Sequence, residues 1–122
     1  MTVKVLYVDD DDDIREIAVM SLELEPEFAV RACSSGEEAI GVLGEWNPDV
    51  VLLDVMMPGM DGPETLERMR EKAAADLPPV LFCTARSQAR DVDHYLSLGA
   101  AGVISKPFDP MTLASVVKEH IQ

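Results

Sequence analysis

Basic residues are scarce in this chain. Ten Lys and Arg stand against 23 Asp and Glu, a formal net charge of -13. A surface so charged repels nucleic-acid phosphates, which argues against direct nucleic-acid contact and points to proteins and cations as partners. Cysteine is rarer still: Cys33 and Cys83 lie inside apolar runs without C-x-x-C spacing. They read as small buried hydrophobes with no redox or metal role. Long apolar runs are missing too, the stretch Val50 to Leu53 being far too short to cross a bilayer. No membrane partner is expected. The opening Met1-Thr2-Val3-Lys4 has neither the apolar core nor the cleavage site of a signal peptide, so a cytoplasmic location is the default expectation.

What is present is one domain's worth of chain: 122 residues, 48% of them hydrophobic, read as a single domain over 1–122. Short β-rich runs at Lys4 to Val8, Phe28 to Cys33, Val50 to Asp54, Val80 to Thr84 and Val103 to Ser105 predict five strands. Apolar residues at helical spacing separate them: Ile14, Ile17, Ala18 and Ser21; Ala39, Ile40 and Leu43; Leu66, Met69 and Ala73; Val92, Tyr95 and Leu96; Leu113, Ala114, Val117 and Ile121. Ser35 with Glu38 and Asp61 with Glu64 have capping-box spacing. Pro63 and Pro110 fit first helical positions after Asp61 and Asp109, and Gly99 is placed to stop the fourth helix. Strict alternation with short connections implies right-handed crossovers and a doubly wound α/β fold, with a five-stranded parallel sheet between helical layers. The expected order is 2-1-3-4-5, flavodoxin-like, with the site beyond the carboxyl ends of strands 1 and 3.

Polar residues gather at that edge. Asp9 and Asp10 end strand 1, Asp54 ends strand 3, Thr84 ends strand 4, and strand 5 runs into Lys106-Pro107. Taken singly, each has an ordinary structural reading as a turn, a solvated charge or a β-former. Together, three carboxylates repel one another by roughly 1 kcal/mol per pair even at water's dielectric, and a divalent cation would relieve this. Oxygen-only donors suit Mg²⁺. An EF-hand is excluded, because counting from Asp9 puts Ile14 at the loop glycine and Met20 at the bidentate Glu.

These motifs resemble those of response-regulator receiver domains of two-component systems and phosphorelays. The resemblance covers essentially the whole chain. It rests on Val8-Asp9-Asp10, on Val51 to Asp54 running on through Met57-Pro58-Gly59 to Gly62, on Phe82-Cys83-Thr84-Ala85 and on Ser105-Lys106-Pro107-Phe108. It implies that Asp54 accepts a phosphoryl group from a phosphohistidine on a histidine kinase or histidine phosphotransfer protein. It makes Asp10, Asp54 and the backbone carbonyl of Met56 direct Mg²⁺ ligands, with Asp9 acting through water. Lys106 would pair with Asp54 and then with the phosphoryl oxygens, Thr84 would turn its hydroxyl onto the phosphoryl group, and Ala85 would leave it room. It also implies a turn at Met57-Pro58-Gly59, a cis peptide before Pro107, and output through a downstream protein or fused output domain, including a phosphorylation-dependent dimer through the fourth-helix, strand-5, fifth-helix face.

Two departures from the family pattern matter. Val103 stands where the family often has a switching Tyr or Phe, so activation is expected to run through Thr84 and repacking of that face. Met56 and Arg86 occupy positions that tune self-dephosphorylation in the family. Neither side chain holds an attacking water well, and Arg86 is expected to lie over the phosphoryl oxygens, giving slow decay. Rival readings fit worse. A haloacid-dehalogenase-type hydrolase needs D-x-D-x-T after strand 1, where this chain reads Asp9 to Asp13 without the Thr. A flavodoxin-like FMN protein needs a Ser/Thr/Gly-rich loop there, and a never-phosphorylated receiver usually loses a site residue. The chain's extent fits either a free-standing receiver or part of a longer regulator or hybrid kinase.

Overall fold

The computed structural model describes residues 2–121; Met1, weighed above as part of a leader, lies outside them, as does Gln122. Five strands, β1 (Val3–Val8), β2 (Phe28–Cys33), β3 (Val50–Asp54), β4 (Val80–Thr84) and β5 (Gly102–Ser105), alternate with five helices. The helices are α1 (Asp12–Leu22), α2 (Gly36–Leu43), α3 (Gly62–Ala73), α4 (Ala89–Ser97) and α5 (Leu113–Ile121). All strand pairs are parallel and the order is β2-β1-β3-β4-β5, as the alternation implied. β1 and β5 each begin one residue earlier than read from sequence.

The two-residue strand period sorts the core into two layers. Leu6, Val8, Val51, Leu53 and Phe82 face Leu66, Met69 and Tyr95 on one side of the sheet. Val5, Tyr7, Val50, Leu52, Leu81 and Cys83 face Ala18, Leu22, Leu113 and Val117 on the other. Both cysteines are free and buried. Burial pushes their thiols up, Cys33 to about 11 and Cys83 to about 12.

Several helix readings need correction. α1 buries Ala18, Ser21 and Leu22, while Ile17 is 47% exposed, so its stripe is rotated toward the next turn. Leu96 on α4 is 43% exposed; Tyr95 carries the packing instead. Ser35 Oγ accepts from Glu38 N–H at 3.1 Å, but the Glu38 carboxylate turns to Ser34 N–H at 2.7 Å, one residue before the expected box. Asp61 accepts from Glu64 N–H at 2.9 Å, with Gly62 as the first helical residue and Pro63 the second. Pro110 sits in a turn in which Thr112 and Leu113 N–H groups both donate to the Asp109 carbonyl, before α5 proper. Gly99 follows the end of α4 with φ 104°, as expected.

Gly62 fixes how α3 leaves the sheet. Its N–H donates to the Val55 carbonyl at 2.9 Å, and a Cβ here would stand 2.5 Å from the Asp54 carbonyl oxygen and 2.8 Å from Val55 Cα. Those are backbone atoms and cannot swing aside. Gly62→Ala is therefore expected to lower the urea midpoint, by about 1–3 kcal/mol in stability. Gly41→Ala, in α2 with nothing within 4 Å of the added atom, is expected to raise stability by about 0.5–1 kcal/mol. Equal effects of the two substitutions would contradict the close approach at Gly62.

Candidate functional site

The strand period that builds the core also aims the site. Asp9 lies two residues beyond Tyr7, Asp54 two beyond Leu52 and Lys106 two beyond Ile104, and Tyr7, Leu52 and Ile104 all belong to the layer against α1 and α5. The ends of β1, β3 and β5 thus send side chains to the same side of the sheet edge. Lys106 Nζ donates to Asp9 Oδ2 at 2.8 Å and to Asp54 Oδ1 at 3.0 Å. Asp9 and Asp54 are buried, and Asp10 is exposed beside them. One oxygen from each of the three carboxylates lies within 4.8 Å of the others. An all-oxygen donor set that close, with one member open to solvent, suits Mg²⁺.

These groups border a cleft of about 280 Å³ whose lining also includes Asp11, Ile14, Met56, Thr84 and Ala85. An adjoining cleft of about 380 Å³, between α1 and the segment Pro107 to Pro110, is larger but almost wholly apolar. The polar chemistry belongs to the smaller one. Thr84 is buried, and its Oγ1 accepts from Arg86 N–H at 3.0 Å. Met56 lines the cleft and is 75% exposed. Arg86 is exposed and outside that lining, contrary to the expectation that it covers the site. Gly59 has φ 75°, in the turn expected at Met57-Pro58-Gly59, and the Lys106–Pro107 peptide is cis.

The charges act on one another. Burial raises the Asp54 carboxyl from 3.8 to about 6; the Lys106 hydrogen bond opposes this and the negative charge of Asp9 reinforces it. Burial works to lower the Lys106 ammonium, but its hydrogen bonds to Asp9 and Asp54 outweigh that, and it is raised. Lys106 thus stays a cation, while Asp54 is a carboxylate of raised basicity at neutral pH.

Two residues of the site were not singled out from sequence. The Tyr7 hydroxyl donates to Asp9 Oδ2 at 3.0 Å, and an Arg15 guanidinium nitrogen donates to the Asp9 carbonyl at 2.9 Å. The Tyr7 signal was present, since a residue two before Asp9 on a strand must share its face. Arg15 gave none, because only the turn into α1 brings it back.

Residues 5–118 match the family model of the response regulator receiver domain. The chain is 38% identical over 114 residues, 93% of its length, to the transcriptional regulatory protein CseB of Streptomyces avermitilis, covering 47% of that protein. It is 37% identical to the transcriptional regulatory protein YvrH of Bacillus subtilis, over 97% of this chain and 48% of that one. It spans about half the length of these curated relatives. Among solved structures, the chemotaxis response regulator CheY4 of Vibrio cholerae superposes with a TM-score of 0.88 at 29% identity, covering 98% of this chain and 99% of that one.

Asp54 also sets a pH dependence. Its folded pKa is raised, so the folded state bears an ionisation penalty that is absent below 3.8, grows as pH rises and is complete above about 6. In EDTA at neutral pH, Asp54→Asn should therefore be more stable than the parent, by on the order of 1–3 kcal/mol. The gap should close as pH falls through about 6 toward 3.8. Chemical denaturation across that range measures it, and a gap independent of pH would show that ionised Asp54 is not the strained group.

Proposed function

Because this chain belongs to the response regulator receiver family, we propose that Asp54 is its phosphoacceptor and that residues 1–122 act as one phosphorylation-controlled signalling unit. The observation that carries the reading is the placement of Lys106 Nζ, 2.8 Å from Asp9 and 3.0 Å from Asp54, in a cleft that gathers three carboxylates. An Asp54 carboxylate oxygen attacks the phosphorus of a phosphohistidine on a histidine kinase or histidine phosphotransfer protein. The P–N bond breaks and the imidazole nitrogen leaves with its electron pair.

Such a transfer asks little of the protein beyond in-line positioning and neutralisation of the phosphoryl oxygens. Lys106 provides one positive charge at the nucleophile. Bound Mg²⁺ would supply the rest, held by Asp10, Asp54 and the Met56 carbonyl, with Asp9 acting through water. Asp54 lies in a buried wall and faces an open cleft, so the donor approaches from one side only. Thr84 Oγ1, now an acceptor from Arg86 N–H, exchanges that role for donation to a phosphoryl oxygen. Ala85, on the cleft lining, leaves space for it.

The chain carries no helix, among the described residues, long and apolar enough to cross a membrane. With a net charge of -13, any DNA contact belongs to a fused output domain or downstream partner. The α4, β5 and α5 face is the surface on which phosphorylation changes partner binding or dimerisation, and the cytoplasm is where a histidine kinase would meet it.

Acetyl phosphate with MgCl₂ should add one phosphoryl group, read by intact mass and lost in Asp54→Ala. Excess EDTA should suppress it. Label that persists in Asp54→Ala moves the acceptor elsewhere, and labelling indifferent to EDTA removes the metal from the reaction.

Activation should run through Thr84 rather than an aromatic rotor. Val103 is half-buried against the core layer that holds Phe82 and Tyr95, and has no ring to swing. Beryllofluoride should shift amide resonances in α4, β5 and α5 as a population change, and Thr84→Ala should shrink those remote shifts while sparing those next to Asp54. Shifts confined to α3 would contradict this route.

A further inference from the structure

Asp9 and Asp10 are adjacent and chemically identical, yet their surroundings differ completely. Asp10 is exposed, whereas Asp9 is 1% exposed and its carboxylate is filled with donors. Oδ1 accepts from Asp11 N–H at 3.0 Å. Oδ2 accepts from Lys106 Nζ at 2.8 Å and from the Tyr7 hydroxyl at 3.0 Å. The Tyr7 donor comes from inside the protein. Its ring is wholly buried in the α1 and α5 layer, on a strand paired to both neighbours through Ala32 and Leu52. A phenylalanine would fill the same layer, so the hydroxyl is the one part of this side chain that packing does not require.

We propose that Tyr7 is a positioning residue that holds Asp9 as the partner of Lys106 and keeps it from coordinating the metal directly, leaving Asp10 and Asp54 as the carboxylates open to Mg²⁺. This rests on the Mg²⁺-dependent reading above. A carboxylate oxygen that already accepts two hydrogen bonds has less charge and fewer free lone-pair directions to offer a cation. With the Tyr7 hydroxyl in place, drawing Asp9 into direct coordination means leaving a buried phenol without a partner. Tyr7 is wholly buried, so the Asp9 carboxylate is the acceptor that satisfies its hydroxyl. The site thus assigns different work to two neighbouring aspartates through one hydrogen bond from the core.

The alternative is that Asp9 merely satisfies a buried tyrosine and the bond has no bearing on metal. The two differ in sign. If Tyr7 restrains Asp9, Tyr7→Phe should bind Mg²⁺ roughly three- to ten-fold more tightly than the parent. Incorporating 3-fluorotyrosine at position 7, a stronger donor of nearly the same shape, should weaken binding. In an Asp9→Asn background, Tyr7→Phe should leave the affinity unchanged. The measurement is a titration of the full chain with MgCl₂ alone, followed by amide chemical shifts, which also report whether each variant is folded. A folded Tyr7→Phe with unchanged or weaker affinity overturns the proposal, as does tightening that persists without Asp9; if that variant does not fold, the fluorotyrosine arm decides alone. A parent that shows no response to Mg²⁺ overturns the metal reading itself, and this inference with it.

Discussion

Three carboxylates crowd one sheet edge, with the Lys106 ammonium hydrogen-bonded to two of them, and the architecture answers to that crowding. Coulomb repulsion among the acids is weak in water and grows as they are buried. Lys106 offsets it for Asp9 and Asp54, and Asp10 escapes by facing solvent. For Lys106 to reach both partners, β1, β3 and β5 must end together, although β4 lies between β3 and β5. Its side chain has to cross the end of β4. Ala85 stands there on the lining of the same cleft, where a larger residue would fill the crossing. Burial that raises Asp54 to about 6 despite its lysine shows that the balance is incomplete, which leaves a site receptive to further positive charge.

The fold was legible because its signals are redundant. Five apolar runs, the stripes between them and the Gly and Pro stops all pointed to the same alternation, and the sheet order followed from topology. The convergence of Asp9, Asp54 and Lys106 was legible for a related reason: strand ends are few, and polar residues at them are easily seen. What escaped was set by three-dimensional context. Ile17 reads as core on a helical wheel, yet the arc of α1 against the sheet is narrow enough for Ala18, Ser21 and Leu22 to fill it. Glu38 has capping-box spacing, yet its carboxylate finds Ser34 closer than Ser35. Tyr7 was absorbed into an apolar run because its ring belongs there, and only the position of its hydroxyl shows a polar purpose.

The same strand arithmetic bears on how a signal would leave the site. Asp54 and Lys106 lie on the side of the sheet that faces α1 and α5, whereas Thr84 follows Val80 and Phe82 and so belongs to the opposite layer, toward α4. On the proposed reading, a phosphoryl group built on one side draws toward it a hydroxyl rooted in the other. The ring of Phe82 lies 5.2 Å from that of Tyr95, the buried residue of α4, and Val103 packs against the same layer. Displacing the end of β4 therefore loads the contact that seats α4. A tightly packed layer does not deform smoothly, so the response is a choice between alternative seatings of α4. With valine at position 103, no ring stands ready to vacate space for the new seating. The rearrangement must then come from α4 itself, held at its far end by the Arg70 guanidinium donating to the Leu98 carbonyl at 2.7 Å. Tyr95 and Leu98 both lie toward the C-terminal end of α4, so on the proposed reading the helix pivots about that end and its first turn swings furthest.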